Sequence, residues 1–193
     1  MKPRTLTVMT MLLDLKAAAF SLLEDKHKNP ALLNMYSLID ICASLSNRGK
    51  KQNRDIFESF LKDFAVLTKW DRYTTQELWA ARSSLLHSYS PFGHHTNKEN
   101  STVRPIFYYS WPESKDEVQS VLEDKGYSNF ILLDVEEIKW LALDVFNAMH
   151  LKVEEDEEFE ALFLENSKNM LPSLHHLRFE DELNLIQRLV ENA

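Results

Sequence analysis

Glycine is scarce in this chain, with three residues in 193. That argues against Gly-rich phosphate loops and against sheets joined by tight turns, and it leaves helices as the expected framework. Cysteine is scarcer still. Cys42 stands alone, so an intrachain disulfide framework is excluded, and a reducing, cytoplasmic setting is expected. No uninterrupted apolar run reaches about eighteen residues, so no membrane span is expected. The apolar N-terminal stretch is broken by Asp14 and Lys16 before a signal-peptide core could form. A basic excess is also missing. The net charge is −8, whereas proteins that live on nucleic acid usually carry a positive field. The charge is uneven, however. Residues 50–72 are mixed to basic, and the acid excess gathers after Asp116, above all in Glu154–Glu158, which reads as a solvated helix start.

What is present fits a single domain with a substantial core. Apolar residues at helical spacing predict a first helix from about Thr10 to Leu23 and a second from about Ala31 to Ser46. Pro30 stands near the start of the second and Gly49 at its exit. A third runs from about Arg54 to Leu67. Thr74 followed by Glu77 forms a capping-box pattern ahead of a fourth helix, which stops before Pro91. Val103–Trp111 and Asn129–Val135 read as strands flanking a short helix that ends at Gly126. Asp134 and Glu137 form a second box, opening a helix closed by His150. Helices over about Asp156–Asn169 and Phe179–Glu191 complete the chain. The expected fold is mainly α: an antiparallel helical bundle with a small β insertion and C-terminal helices. Residues 1–92 form the core, and residues 93–193 complete the same domain.

Two charges look misplaced. On a wheel of the fourth helix, Leu78, Trp79, Ala81, Leu85, Leu86 and Tyr89 share one arc, with Arg82 in its middle. Asp40 projects toward the apolar side of the second helix, between Leu33, Tyr36 and Ala43. A buried charge is costly unless paired, so Asp40 and Arg82 are expected to meet. His87 falls opposite Arg82, among Ala80, Ser83 and Ser84, a small-residue face that a second chain could approach closely. The pairs His94-His95 and His175-His176 lack spaced partners and read as solvated, so no metal site and no cofactor is expected. Phe107, Tyr108, Tyr109 and Trp111 could stack on bases, although aromatic residues in a strand more often pack.

The run Arg82-Ser83-Ser84-Leu85-Leu86-His87-Ser88-Tyr89 matches an R-x4-H-x-Y signature and resembles that of the HEPN superfamily of small α-helical proteins. The resemblance implies a HEPN-like bundle and a metal-independent ribonuclease of toxin or defence type, with two protomers building one composite site. It implies Arg82 and His87 as catalytic residues, and a homodimer acting on RNA. Tyr89 resembles the tyrosine that a nucleotidyltransferase partner modifies with AMP in some members, so an antitoxin or nucleotidyltransferase is an implied partner. Asp40 and Ser83 would support the site. Ser83 stands where the family often has Asn, Asp or His.

The residue types suit that chemistry. Cleavage without a metal needs a base for the 2′-hydroxyl, an acid for the leaving 5′-oxygen and a cation at the phosphate. Imidazole titrates near ~6.5, and guanidinium offers a permanently charged fork. The five-residue step sets the two side chains ~140° apart on the helix, so two copies are needed to gather acid, base and cation. The alternative expectation is a non-catalytic HEPN-like helical module that binds nucleotide or a protein partner, which the acidic charge favours.

Overall fold

A computed structural model of the chain describes residues 2–65, 72–88, 91, 102–111 and 114–170. Among these are seven helices and two strands, in the order α1 (Pro3–Glu24), α2 (Lys28–Leu45), α3 (Asn53–Phe64), α4 (Thr75–Ser88), β1 (Ile106–Tyr109), α5 (Lys115–Asp124), β2 (Ile131–Asp134), α6 (Val135–Glu155) and α7 (Glu157–Met170). The mainly helical architecture with a small β insertion is as expected. The helix expected at Phe179–Glu191 lies outside the described residues, as do the histidines at 94, 95, 175 and 176.

The centre of the bundle is α2, which packs against α1, α3, α4, α6 and α7. Its buried Leu32, Met35, Tyr36, Leu38, Ile39, Cys42 and Leu45 cover about half of the helix circumference, and Leu33, Ser37, Asp40, Ile41 and Ser44 on the other half are half-buried. A continuous core then runs from Val8 in α1 to Phe163 in α7.

Two helix boundaries depart from the sequence expectation by more than one turn. First, α1 begins at Pro3 rather than Thr10 because a distant side chain closes its first turn. The Glu160 carboxylate of α7 accepts from the Lys2 backbone N–H at 2.6 Å and from the Thr5 hydroxyl at 2.7 Å. A carboxylate there satisfies orphan donors and complements the positive helix end. With this longer start, α1 is the one helix among the described residues that is long and apolar enough, by length and composition, to cross a membrane. The expectation of no such segment rested on an uninterrupted run, whereas Asp14 and Lys16 sit inside this helix. Its Thr5, Val8, Met9, Leu12 and Ala19 pack into the bundle, while Leu6 and Leu13 face outward. Second, α6 continues to Glu155, so His150 lies within it, 3.6 Å from Glu154, rather than closing it.

The β insertion is a parallel pair, Ile106 opposite Ile131 through Tyr109 opposite Asp134, with α5 as the crossover. Parallel strands need such a connection, because a tight turn cannot join them. At the end of α5, Gly126 adopts φ +84. Its N–H donates to the Glu123 carbonyl and the Tyr127 N–H to the Leu122 carbonyl, a Schellman closure. The sheet is tied to the bundle by a 2.7 Å hydrogen bond between the Tyr36 and Tyr108 hydroxyls and by Lys28 donating to the Tyr108 carbonyl.

Candidate functional site

The site is built on α4, and its start is fixed by local chemistry. The Glu77 carboxylate accepts from the Thr74 backbone N–H at 2.8 Å, and the Thr74 hydroxyl accepts from the Glu77 N–H at 3.2 Å. This is the capping box read from the sequence. Glu77 also takes the Arg104 guanidinium, whose Nε lies 2.6 Å from Oε1. Arg104 in turn donates to the Arg72 carbonyl, and Arg72 pairs with Glu137 at the start of α6. Only 4% of Glu77 is exposed. Burial pushes its carboxyl up, but the bonds from Arg104 and Thr74 outweigh that and hold it below the ordinary carboxylate range. The register of α4 is thus pinned to β1 and α6.

From that start, α4 carries Arg82 to α2. Its Nε donates to Asp40 Oδ2 at 2.5 Å, and Nη2 contacts the same oxygen. The expected pairing of the two misplaced charges is present. Their side chains are 19% and 20% exposed, so the pair is neither surface nor core. Burial pushes the Asp40 carboxyl above its usual range, and the Arg82 charge and hydrogen bond pull it back only in part. One face of the guanidinium lies over Trp79, with its carbon 4.8 Å from the ring centroid. Trp79 is itself braced by Phe57, with centroids 5.5 Å apart. Trp79 and Arg82 are three residues apart on one helix face, a spacing that offered this contact to sequence reading.

Since Asp40 and Trp79 use the Nε edge and one face, the other guanidinium donors have no acceptor among the described residues. Asp40 and Arg82 line a cavity of about 100 Å³, together with Ser44, Asn53 and Phe57. At ~30 Å³ per water this holds about three waters, or a group of similar size. A planar fork presented on a polar cavity can bind two oxygens of a phosphate or carboxylate.

Elsewhere the site departs from expectation. The face carrying Ala80, Ser83 and Ser84 is not open to another chain along its length. Ala80 is 1% and Ser84 4% exposed, and the Ser84 hydroxyl turns back to the Ala80 carbonyl at 2.8 Å. Small side chains permit close approach by the chain itself as readily as by a partner. Ser83 alone of the three is half-buried. The backbone of His87 belongs to α4, while its side chain and all of Tyr89 lie outside what is described. Of the four aromatics, Tyr109 is buried, Phe107 packs against Phe130, Tyr108 is bonded to Tyr36, and Trp111, just past the end of β1, is 54% exposed. Among the described residues, no three His, Cys, Asp or Glu side chains gather as metal ligands would. Comparison with protein-family models, curated proteins and solved structures finds no match to this chain.

Proposed function

We propose that this protein is a metal-independent endoribonuclease of toxin or defence type. Arg82 binds the scissile phosphate, His87 transfers protons, Asp40 orients Arg82, and Ser83 and Tyr89 support the motif helix. The observation that carries the reading is an arginine held along one edge by Asp40 and on one face by Trp79, its remaining donors without an acceptor among the described residues, beside a small polar cavity. In the reaction the 2′-oxygen attacks phosphorus as a base removes its proton. The bond to the 5′-oxygen breaks, and an acid protonates that oxygen. Two copies supply the acid and the base from their two imidazoles. Ser83 is the small residue at which a second α4 can meet the first. An antitoxin, or a nucleotidyltransferase acting on Tyr89, is the partner that fits this setting, and the cytoplasm the compartment.

The test is cleavage of single-stranded RNA in EDTA. Wild-type protein cleaves. His87→Gln and Arg82→Lys each lose roughly 100-fold or more with unchanged circular dichroism, the scale of one proton-transfer or phosphate-binding group. Cleavage by both variants at the wild-type rate overturns the proposal. A second reading, a non-catalytic HEPN-like module that binds nucleotide or a protein partner, is favoured by the burial of Ala80 and Ser84, which narrows the surface for pairing. A folded, strictly monomeric wild type with no cleavage supports that reading.

A further inference from the structure

A second cavity, of about 310 Å³, lies between the end of α2, the turn into α3, and the facing ends of α6 and α7, and shares only Ala43 and Ile56 with the wall of the Arg82 cavity. Phe60, Phe64 and Phe159 line its apolar side, with ring centroids 4.9 Å apart for the first two and 5.8 Å for the last two. Its polar side is cationic, with Arg48, Lys50 and Lys152 set against one carboxylate, Asp63, in a chain whose net charge is −8. Asp156 also pairs with Lys152, at 2.6 Å.

The cations are presented by an ordered turn. The Asn47 side chain bonds both backbone groups of Lys50, accepting at 2.9 Å and donating at 3.0 Å. Gly49 supplies the φ of +89 that this turn needs. The Lys50 ammonium is held on the Ser59 hydroxyl. Arg48 is exposed and makes no ion pair or hydrogen bond among the described residues. The carbonyl end of α2, which would repel an anion, is covered: Asn166 donates to the Leu45 and Asn47 carbonyls at 2.9 Å each. Ser46, also on the wall, has a buried hydroxyl with no hydrogen-bond partner among the described residues. A group left so is costly, and a ligand oxygen is the kind of partner that relieves it.

We infer that this cavity binds a small organic phosphate with a flat ring system, of the nucleoside monophosphate class, its phosphate on Arg48, Lys50 and Lys152 and its ring against Phe64. The volume is at the lower end of the range for ligand pockets, ~300–1,000 Å³, which suits one nucleotide better than a polymer. Arg48 grips phosphate oxygens through its fork, and the aromatic wall accepts any base by its face. The inference does not depend on the Arg82 reading.

Isothermal titration calorimetry with AMP, ribose 5-phosphate and inorganic phosphate tests it. AMP binds with Kd below ~1 mM, and the two probes without a base bind at least ~10-fold more weakly. Arg48→Ala weakens AMP by ~10-fold or more with an unchanged melting curve, since its exposed side chain holds no other described residue. Phe64→Leu reduces the preference of AMP over ribose 5-phosphate. Absence of AMP binding up to ~10 mM, equal affinity for AMP and inorganic phosphate, or indifference to Arg48→Ala overturns the assignment.

Discussion

Replacing Glu77 tests whether the motif helix is held as described. Its carboxylate closes the capping box on Thr74 and, at 2.6 Å, receives Arg104 while almost wholly out of water. Glu77→Ala removes the cap, at about 1 kcal/mol, and orphans the Thr74 N–H and the partly exposed Arg104, for about 2–3 kcal/mol in all. Glu77→Gln keeps an acceptor for the Thr74 N–H but loses the charge, at about 1 kcal/mol. At about 2–4 °C per kcal/mol for a chain of this length, the alanine variant melts ~4–12 °C lower. The pH dependence has a definite sign. The folded Glu77 carboxyl titrates below its ordinary range, so its contribution is present above the unfolded value of ~4.3 and is lost as pH falls through the folded one. The gap between wild type and Glu77→Gln should therefore close in acid. Urea unfolding followed by circular dichroism at several pH values measures it. A Glu77→Ala cost below ~0.5 kcal/mol, or a gap that widens in acid, refutes the argument.

Three further outcomes are expected. Burial already pushes the Asp40 carboxyl up against the pull of Arg82, so Asp40→Asn, which keeps an acceptor, changes stability by no more than about 1 kcal/mol. Asp40→Leu leaves the guanidinium without a partner and costs about 2–3 kcal/mol, and chemical denaturation of the two variants separates the cases. Glu160→Ala opens the first turn of α1, seen as faster hydrogen exchange at residues 4–7 with little change in α2. The Cys42 thiol is fully buried and its pKa pushed well up, so it resists a thiol reagent in native buffer and reacts once urea unfolds the chain.

How much was legible depended on how far apart in sequence the deciding groups lie. The boxes at Thr74 with Glu77 and at Asp134 with Glu137 could be read because each is complete within four residues, and the structure has both. Asp40 and Arg82 could be paired because each charge sat on an apolar face and had to find the other. The start of α1 could not be read, since the group closing it, Glu160, is 158 residues from Lys2. Its end was read to within a residue, about Leu23 against Glu24, although Lys26 rather than a glycine takes the positive φ of 65 there. Arg104 gave no signal as the partner of Glu77, and a small-residue face says only that something packs closely, not which chain supplies it.

The chemistry of the cut ends tests the central claim most directly. RNA incubated with wild-type protein in EDTA, with product termini mapped by mass spectrometry, should carry 2′,3′-cyclic or 3′-phosphate on one fragment and 5′-hydroxyl on the other, because the 2′-oxygen is the nucleophile. Intact RNA, or fragments bearing 5′-phosphate and 3′-hydroxyl ends, would contradict the account.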